Sequence, residues 1–167
     1  AAQGGHLDVL IWGRARSLDW DASTSRAAAA AGHMHVLIYC QEHGCPWTAR
    51  VCRYAALRGD LPMLKWARDR GCPWEKDTCE AAAEGGHFTV LEWARSNGCP
   101  WDAATCLRAA EFGRLEMLQW ARARGCAWDA GCCAAAAKNA HFAVLRWARA
   151  NGCPWDIWTC AYAAQNK

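Results

Sequence analysis

An all-α solenoid of stacked helix-turn-helix repeats is the fold class that this 167-residue sequence predicts. Three observations carry the prediction. One phase returns every 27 residues without insertion, at Gly5-His6, Gly32-His33, Gly59-Asp60, Gly86-His87, Gly113-Arg114 and Ala140-His141. An Ala-Ala pair holds the same register, at 1–2, 28–29, 55–56, 82–83, 109–110, 136–137 and 163–164. Every period also contains two short helical patterns of roughly ten residues, too short to be stable alone in water, so stacking must hold them. Repeats that touch only their neighbours form a solenoid, and a fixed period is its signature.

The repeats run 1–27, 28–54, 55–81, 82–108, 109–135 and 136–162, with 163–167 opening a further one, so 1–167 reads as a single array without linker or second domain. The fourth shows the local logic. Phe88, Val90, Leu91, Trp93 and Ala94 follow a 3.6-residue rhythm, while Glu92, Arg95 and Ser96 face away. Gly98 supplies the left-handed residue that closes this helix, and Pro100 prevents its continuation. Asp102 then stands where a carboxylate accepts the orphan N–H groups of the next helix. That helix spans Ala103 to Glu111, its Ala-Ala pair lets a neighbour approach closely, and Gly113 ends it. Pro62 tests the register independently, because in GDLPML it falls in a first turn, where its missing N–H costs nothing.

Bulk numbers exclude several classes. A hydrophobic fraction of 53% excludes a disordered segment. Nineteen Lys+Arg against 16 Asp+Glu leave +3, too mild a balance to indicate nucleic acid or an anionic membrane. No apolar run is long enough to insert into a bilayer. The opening AAQGGHLDVL carries neither an initiator Met nor a targeting signal, so a segment of a longer chain is expected.

Ala82-Ala83, Gly86-His87, Val90-Leu91, Gly98 and Cys99-Pro100-Trp101-Asp102 follow one another in the order of the ankyrin repeat, which the chain resembles over its whole length. Two departures stand out. The ankyrin period is about 33 residues, and here six are missing after Asp102, where the family carries its β-hairpin finger. The Thr-Pro-Leu-His opening of the family's first helix is replaced by forms such as Asp77-Thr78-Cys79-Glu80. The pattern is similar to the short, Trp- and Cys-rich ankyrin-like repeats of giant viruses, algae and protists. The resemblance implies a finger-less solenoid acting as a non-enzymatic protein-interaction scaffold or adaptor, or as a structural subunit of a larger assembly. Its expected partners are other proteins.

The repeated columns read first as scaffold. Helical aromatics (Trp12, Tyr39, Trp66, Trp93, Trp120, Trp147) and turn tryptophans (Trp20, Trp47, Trp74, Trp101, Trp128, Trp155) sit at core spacing, where truncation to Ala costs ~3–5 kcal/mol. Trp158 is off-column and expected to be exposed. Cysteines form two columns, Cys45, Cys72, Cys99, Cys126, Cys153 and Cys52, Cys79, Cys106, Cys133, Cys160, with Cys40 and Cys132 as extras. Members of one column lie ~8–10 Å apart on packed helices, too far for a disulfide's Cα separation of ~4.4–6.8 Å. The Cys-x6-Cys pair within a repeat is in reach across the turn, with nothing to force it. The thiols therefore read as small hydrophobes, which points to an intracellular, reducing compartment, cytoplasm or nucleus before an organelle.

Other chemistries fare less well. No Cys-x2-Cys occurs, and the best metal cluster, Cys40, His43, Cys45 and Cys52, contains a cysteine that merely replaces the Ala of the Trp-Ala-Arg triplet. Neither metal nor cofactor is expected, and a thiol- or metal-responsive array is kept as an alternative. His6, His33, His87 and His141 share a column that Asp60 and Arg114 also occupy, which marks a capping or surface site. Arg14, Arg68, Arg95, Arg122 and Arg149 form a stripe, read as dipole compensation with stacking on neighbouring indoles, or alternatively as a phosphate-tracking ridge for nucleic acid. Acidic residues at 21, 75, 102, 129 and 156 offset that field and make nucleic acid the weaker reading. Catalysis needs a one-off constellation, which repetition does not offer.

Specificity is thereby left to off-column positions on the first helix of each repeat, which in the ankyrin family lines the concave, partner-binding face. The resemblance carries this role to Arg50, Arg53, Tyr54, Leu57 and Arg58, then Glu80 and Glu84, then Leu107, Arg108, Glu111 and Phe112, and finally Trp158 and Tyr162. Arg and aromatics mixed with Leu resemble a hot-spot composition. Neither terminus is a finished polar cap, so further repeats or partner subunits are expected to cover both.

Overall fold

The computed structural model describes residues 1–165. Among them the chain forms a short 3-10 helix, Ala2–Gly4, and twelve α-helices, with no strand. These are α1 Leu7–Arg14, α2 Ala22–Ala31, α3 Met34–Glu42, α4 Arg50–Arg58, α5 Leu61–Asp69, α6 Lys76–Gly85, α7 Phe88–Ser96, α8 Ala103–Glu111, α9 Leu115–Ala123, α10 Ala130–Lys138, α11 Phe142–Ala150 and α12 Ile157–Gln165. The fold is the finger-less all-α solenoid that the repeat pattern predicts.

Helix limits follow the residues that punctuate them. Asp21, Asp102 and Asp129 accept the N–H of Ser23, Ala104 and Gly131 at 2.8, 3.0 and 2.9 Å, satisfying donors that open α2, α8 and α10. Pro62 lies in the first turn of α5, where Asp60 caps Met63 at 2.9 Å. At the other end, Gly98 takes φ 84° and the following Cys99 N–H reaches back to the Ala94 carbonyl at 2.9 Å. The same closure ends α2, α4, α6 and α8, as at Gly59, with φ 73°.

Successive even-numbered helices pack directly on one another, and each carries the next odd-numbered helix folded back against it. The contact between even helices is narrow because it is made by Ala28-Ala29, Ala55-Ala56, Ala82-Ala83, Ala109-Ala110 and Ala136-Ala137, all buried. The odd helices contribute Val, Leu and Met to the core and indoles to their outer side. Small side chains thus line the even-helix layer and large ones the odd-helix layer. Val36, Met63, Val90, Met117 and Val144 repeat one core position and are at most 3% exposed, whereas Val9 in the same column is 49% exposed.

Two expectations are corrected here. The tryptophan columns are a half-buried rim around the core. Nine indoles lie partly buried against it, while Trp12, Trp155 and Trp158 are more than half exposed. The gap between repeats is lined by alanine and cysteine and is too narrow for an indole. Each turn tryptophan from Trp20 to Trp128 instead meets the helical aromatic of the next repeat edge-on, as Trp47 meets Trp66 and Trp101 meets Trp120, both with centroids 5.8 Å apart. Such a pair contributes ~0.5–1.5 kcal/mol beyond its buried area.

The second correction concerns thiols. Cysteines meet between repeats: the thiol of Cys52 lies beside that of Cys72, Cys79 beside Cys99 and Cys106 beside Cys126. The even-helix cysteine points forward along the stack and the turn cysteine points back, so the Cys-x6-Cys pair within a repeat diverges. Each turn thiol also donates to the carbonyl that heads the previous even helix: Cys99 to Glu75 at 3.5 Å, Cys126 to Asp102 at 3.2 Å and Cys153 to Asp129 at 3.3 Å.

Candidate partner-binding face

The recurring polar residues are largely committed within the solenoid. The column histidines bridge repeats: His33 Nε2 lies 3.0 Å from the Gln3 carbonyl and His87 Nε2 3.1 Å from that of Leu57, each an orphan acceptor at a helix end. Where Asp60 replaces the histidine, Arg58 Nη1 donates to the equivalent carbonyl, Ala30, at 3.3 Å. The glycine that closes each even helix lies beneath this side chain, as Gly59 does beneath His87 and Gly113 beneath His141.

The arginine stripe is a set of clamps on the odd helices. Arg14 and Arg149 donate to the carbonyls of Leu18 and Cys153, four residues on, at 2.8 and 2.9 Å. Arg68, Arg95 and Arg122 make the same bond to Cys72, Cys99 and Cys126. Each guanidinium also lies over the turn indole six residues on, from 3.8 Å for Arg149 on Trp155 to 4.6 Å for Arg14 on Trp20. One charge thus satisfies a helix-end carbonyl and stacks on a ring.

The structure disperses the four residues of the best metal cluster. Cys40 adjoins Cys45, Cys52 turns to Cys72, and His43 stacks outside on Tyr39 with its Nδ1 2.9 Å from the Tyr39 carbonyl. Among the described residues no three His, Cys, Asp or Glu side chains converge in a way that could hold a metal ion. Burial, first, and then the charge of Cys45 push the Cys40 thiol up to about 12. Hydrogen bonding to the paired thiol, followed by burial, raises Cys52, Cys79 and Cys106 well above the ordinary thiol range. Thiols held in that form are weak nucleophiles. Eleven of the twelve free cysteines are buried; Cys160 is exposed.

The candidate partner-binding residues lie on or at the ends of even-numbered helices. Arg50 and Arg58 are exposed at the two ends of α4. Between them Arg53 reaches Asp77 at 3.9 Å and Glu84 at 3.7 Å on α6, with its guanidinium 5.5 Å from the Tyr54 ring. Tyr54 borders a hollow of about 240 Å³ that is also lined by Gln3, Arg26, Ala27, Ala30 and Ala31. Leu57 and Leu107 are half-buried against the core and present only an edge. On α6, burial raises the Glu80 carboxyl above its usual range. Arg108 pairs with Glu111 one turn on at 2.6 Å, and Phe112 is 40% exposed beside it. Trp158, 59% exposed, stacks on Tyr162 at 6.3 Å and 28°.

Two residues of this face lie outside the sequence-derived set. Arg26 lines the hollow, and Asp77 joins the Arg53 network with its Oδ1 buried and unpartnered, so that burial raises its carboxyl against the opposing pull of Arg53. The period itself points to both: Arg26 is one repeat before Arg53, and Asp77 one repeat after Arg50.

No protein-family model matches the sequence, and no curated protein is detectably similar to it. The fold has relatives. The crystal structure of the human ASB11 ankyrin repeat domain superposes with a TM-score of 0.68 over 92% of this chain and 82% of that one, at 16% identity. The pentatricopeptide repeat protein PPR10, solved in complex with an 18-nucleotide psaJ RNA element, matches 95% of this chain at TM-score 0.51 and 17% identity, but only 29% of its own length. Identities this low speak for fold alone. The fold is that of ankyrin-type helical-repeat solenoids, and the weaker likeness to PPR10 reflects stacked helix pairs common to both.

Proposed function

We propose that this chain is a non-enzymatic protein-interaction scaffold that binds its partner on the concave face of α4, α6, α8 and α12. One observation carries the reading. The recurring His, Cys and Arg side chains are largely spent on contacts within the solenoid, whereas the even-numbered helices expose Arg, Tyr, Phe and Trp side chains that change from repeat to repeat. A rigid frame with a variable face suits recognition, and its mixture of Arg, Tyr, Trp and Phe is that of interface hot spots. Buried, weakly nucleophilic thiols fit a reducing compartment. No helix among the described residues is long and apolar enough to cross a membrane.

A photo-crosslinking amino acid at Phe112, on the concave side, and at the exposed Glu116 of α9, as control, tests the reading in extract of the source cells. Discrete protein adducts from position 112 and their absence from position 116 are expected. Equal labelling from both positions refutes the concave-face reading, and adducts removed by nuclease treatment would favour a nucleic-acid-binding solenoid.

A further inference from the structure

We propose that the hollow between α2 and α4 is an anchor pocket for an acidic peptide segment carrying one bulky apolar side chain. The proposal rests on the interaction reading above and names the chemistry of its partner. Space comes first. On α2 the relevant positions are Ala27, Ala30 and Ala31, where α4 carries Tyr54, Leu57 and Arg58, and α8 with its C-terminal cap carries Arg108, Glu111 and Phe112. Removing three long side chains from one helix, while both neighbours stay in stacking contact, leaves the opening of about 240 Å³. Alanine methyl groups and the Tyr54 ring supply the apolar half of its lining, against which a Leu, Phe or Trp side chain packs, and Gln3 and Arg26 contribute polar groups.

Charge selects what flanks that anchor. Helices α2 and α4 contain four arginines and no acidic residue. Among the described residues, ion pairs reach only Arg53 of the four. Arg26 lines the hollow, and Arg58 donates to the carbonyl of Ala30, one of its lining residues, a neutral acceptor that leaves the guanidinium charge uncancelled. The acids nearest in effect, Asp21 to Arg26 and Asp77 to Arg50, lie beyond ion-pair distance. Carboxylates of a peptide therefore find two charged donors beside the pocket. A polyanion laid along the face would meet Asp77, Glu80 and Glu84 on α6 within one repeat, so the pattern favours a short acidic peptide over nucleic acid.

Fluorescence anisotropy on the chain decides it, with four labelled probes: a peptide of Glu and Asp around a central Trp, the same peptide with Gly for Trp, a Lys/Arg peptide around Trp, and an oligouridylate of matching length. The acidic Trp peptide should bind tightest and weaken with salt. Replacing its Trp by Gly, introducing Arg26→Glu, or filling the hollow with Ala30→Leu should each cost about tenfold, with circular dichroism confirming that both variants stay folded. Arg26→Glu should also improve binding of the basic peptide. Tighter binding of the oligouridylate or the basic peptide, indifference to the Trp or to either variant, or no binding at all overturns the proposal. If adducts at position 112 persist through such a failure, the interaction reading stands and only the assigned occupant falls.

Discussion

Gly59 and Gly98 close helices by the same left-handed turn, with φ of 73° and 84°, yet substitution by alanine should have very different consequences. A Cβ on Gly98 meets nothing within 4 Å, whereas one on Gly59 overlaps Nδ1 of His87. The conformational part is common to both. A left-handed alanine costs ~1–2 kcal/mol, partly offset by ~0.4–1 kcal/mol from a stiffer unfolded chain, which leaves roughly 1 kcal/mol for Gly98→Ala. Gly59→Ala must also expel the His87 ring, losing its bond to the Leu57 carbonyl at 3.1 Å, worth ~1 kcal/mol, and straining the packed turn by at least ~1 kcal/mol. A total near 3 kcal/mol follows for Gly59→Ala. Equilibrium denaturation followed by circular dichroism measures both, and a cycle with His87→Ala isolates the contact, because in that background Gly59→Ala should cost only the conformational ~1 kcal/mol. Equal losses at the two glycines, or a Gly59 penalty undiminished without the histidine, would refute the idea that this glycine is required by the next repeat.

Three further outcomes are expected. Under native conditions a thiol reagent should modify Cys160 and spare the other eleven cysteines, which react only on unfolding; mass spectrometry after brief alkylation reads the ratio, and rapid labelling of Cys52 or Cys79 would contradict their burial. Asp102→Ala should destabilise by ~1 kcal/mol at neutral pH through loss of the cap on Ala104. The Lys76 ammonium at 2.5 Å, first, holds the Asp102 carboxyl below its usual range. A depressed carboxyl contributes stability that is full above its unfolded pKa and lost as pH falls through the folded one. The difference in melting temperature between the two proteins should therefore shrink at about pH 2, and a constant difference would exclude the charge. Ala140, left-handed at φ 58° in the column that glycine otherwise fills, should gain about 1 kcal/mol on Ala140→Gly, and a lower melting temperature would show that its methyl group is needed.

Much of the molecule was legible one repeat at a time because local chemistry set it. Gly98, Pro62 and Asp102 act on backbone within a few residues of themselves, so their signals survive in a linear reading, and α8 begins and ends where its cap and glycine place it. The candidate face was legible only as far as the period could be followed. Position told that Arg53 and Glu84 share a surface; that they meet at 3.7 Å depends on how far α6 stands from α4.

The 27-residue register and the paired helices were determined by sequence alone, since they need only periodicity and backbone preference. Side-chain partners across repeats belonged to the tertiary structure. The indoles became a half-buried rim because Ala-Ala contacts leave no room between repeats, and the cysteines paired forward and back because successive even helices face one another. The hollow beside Tyr54 likewise exists only because an alanine-faced α2 is held against α4, a juxtaposition of residues about one period apart that no local signal contains.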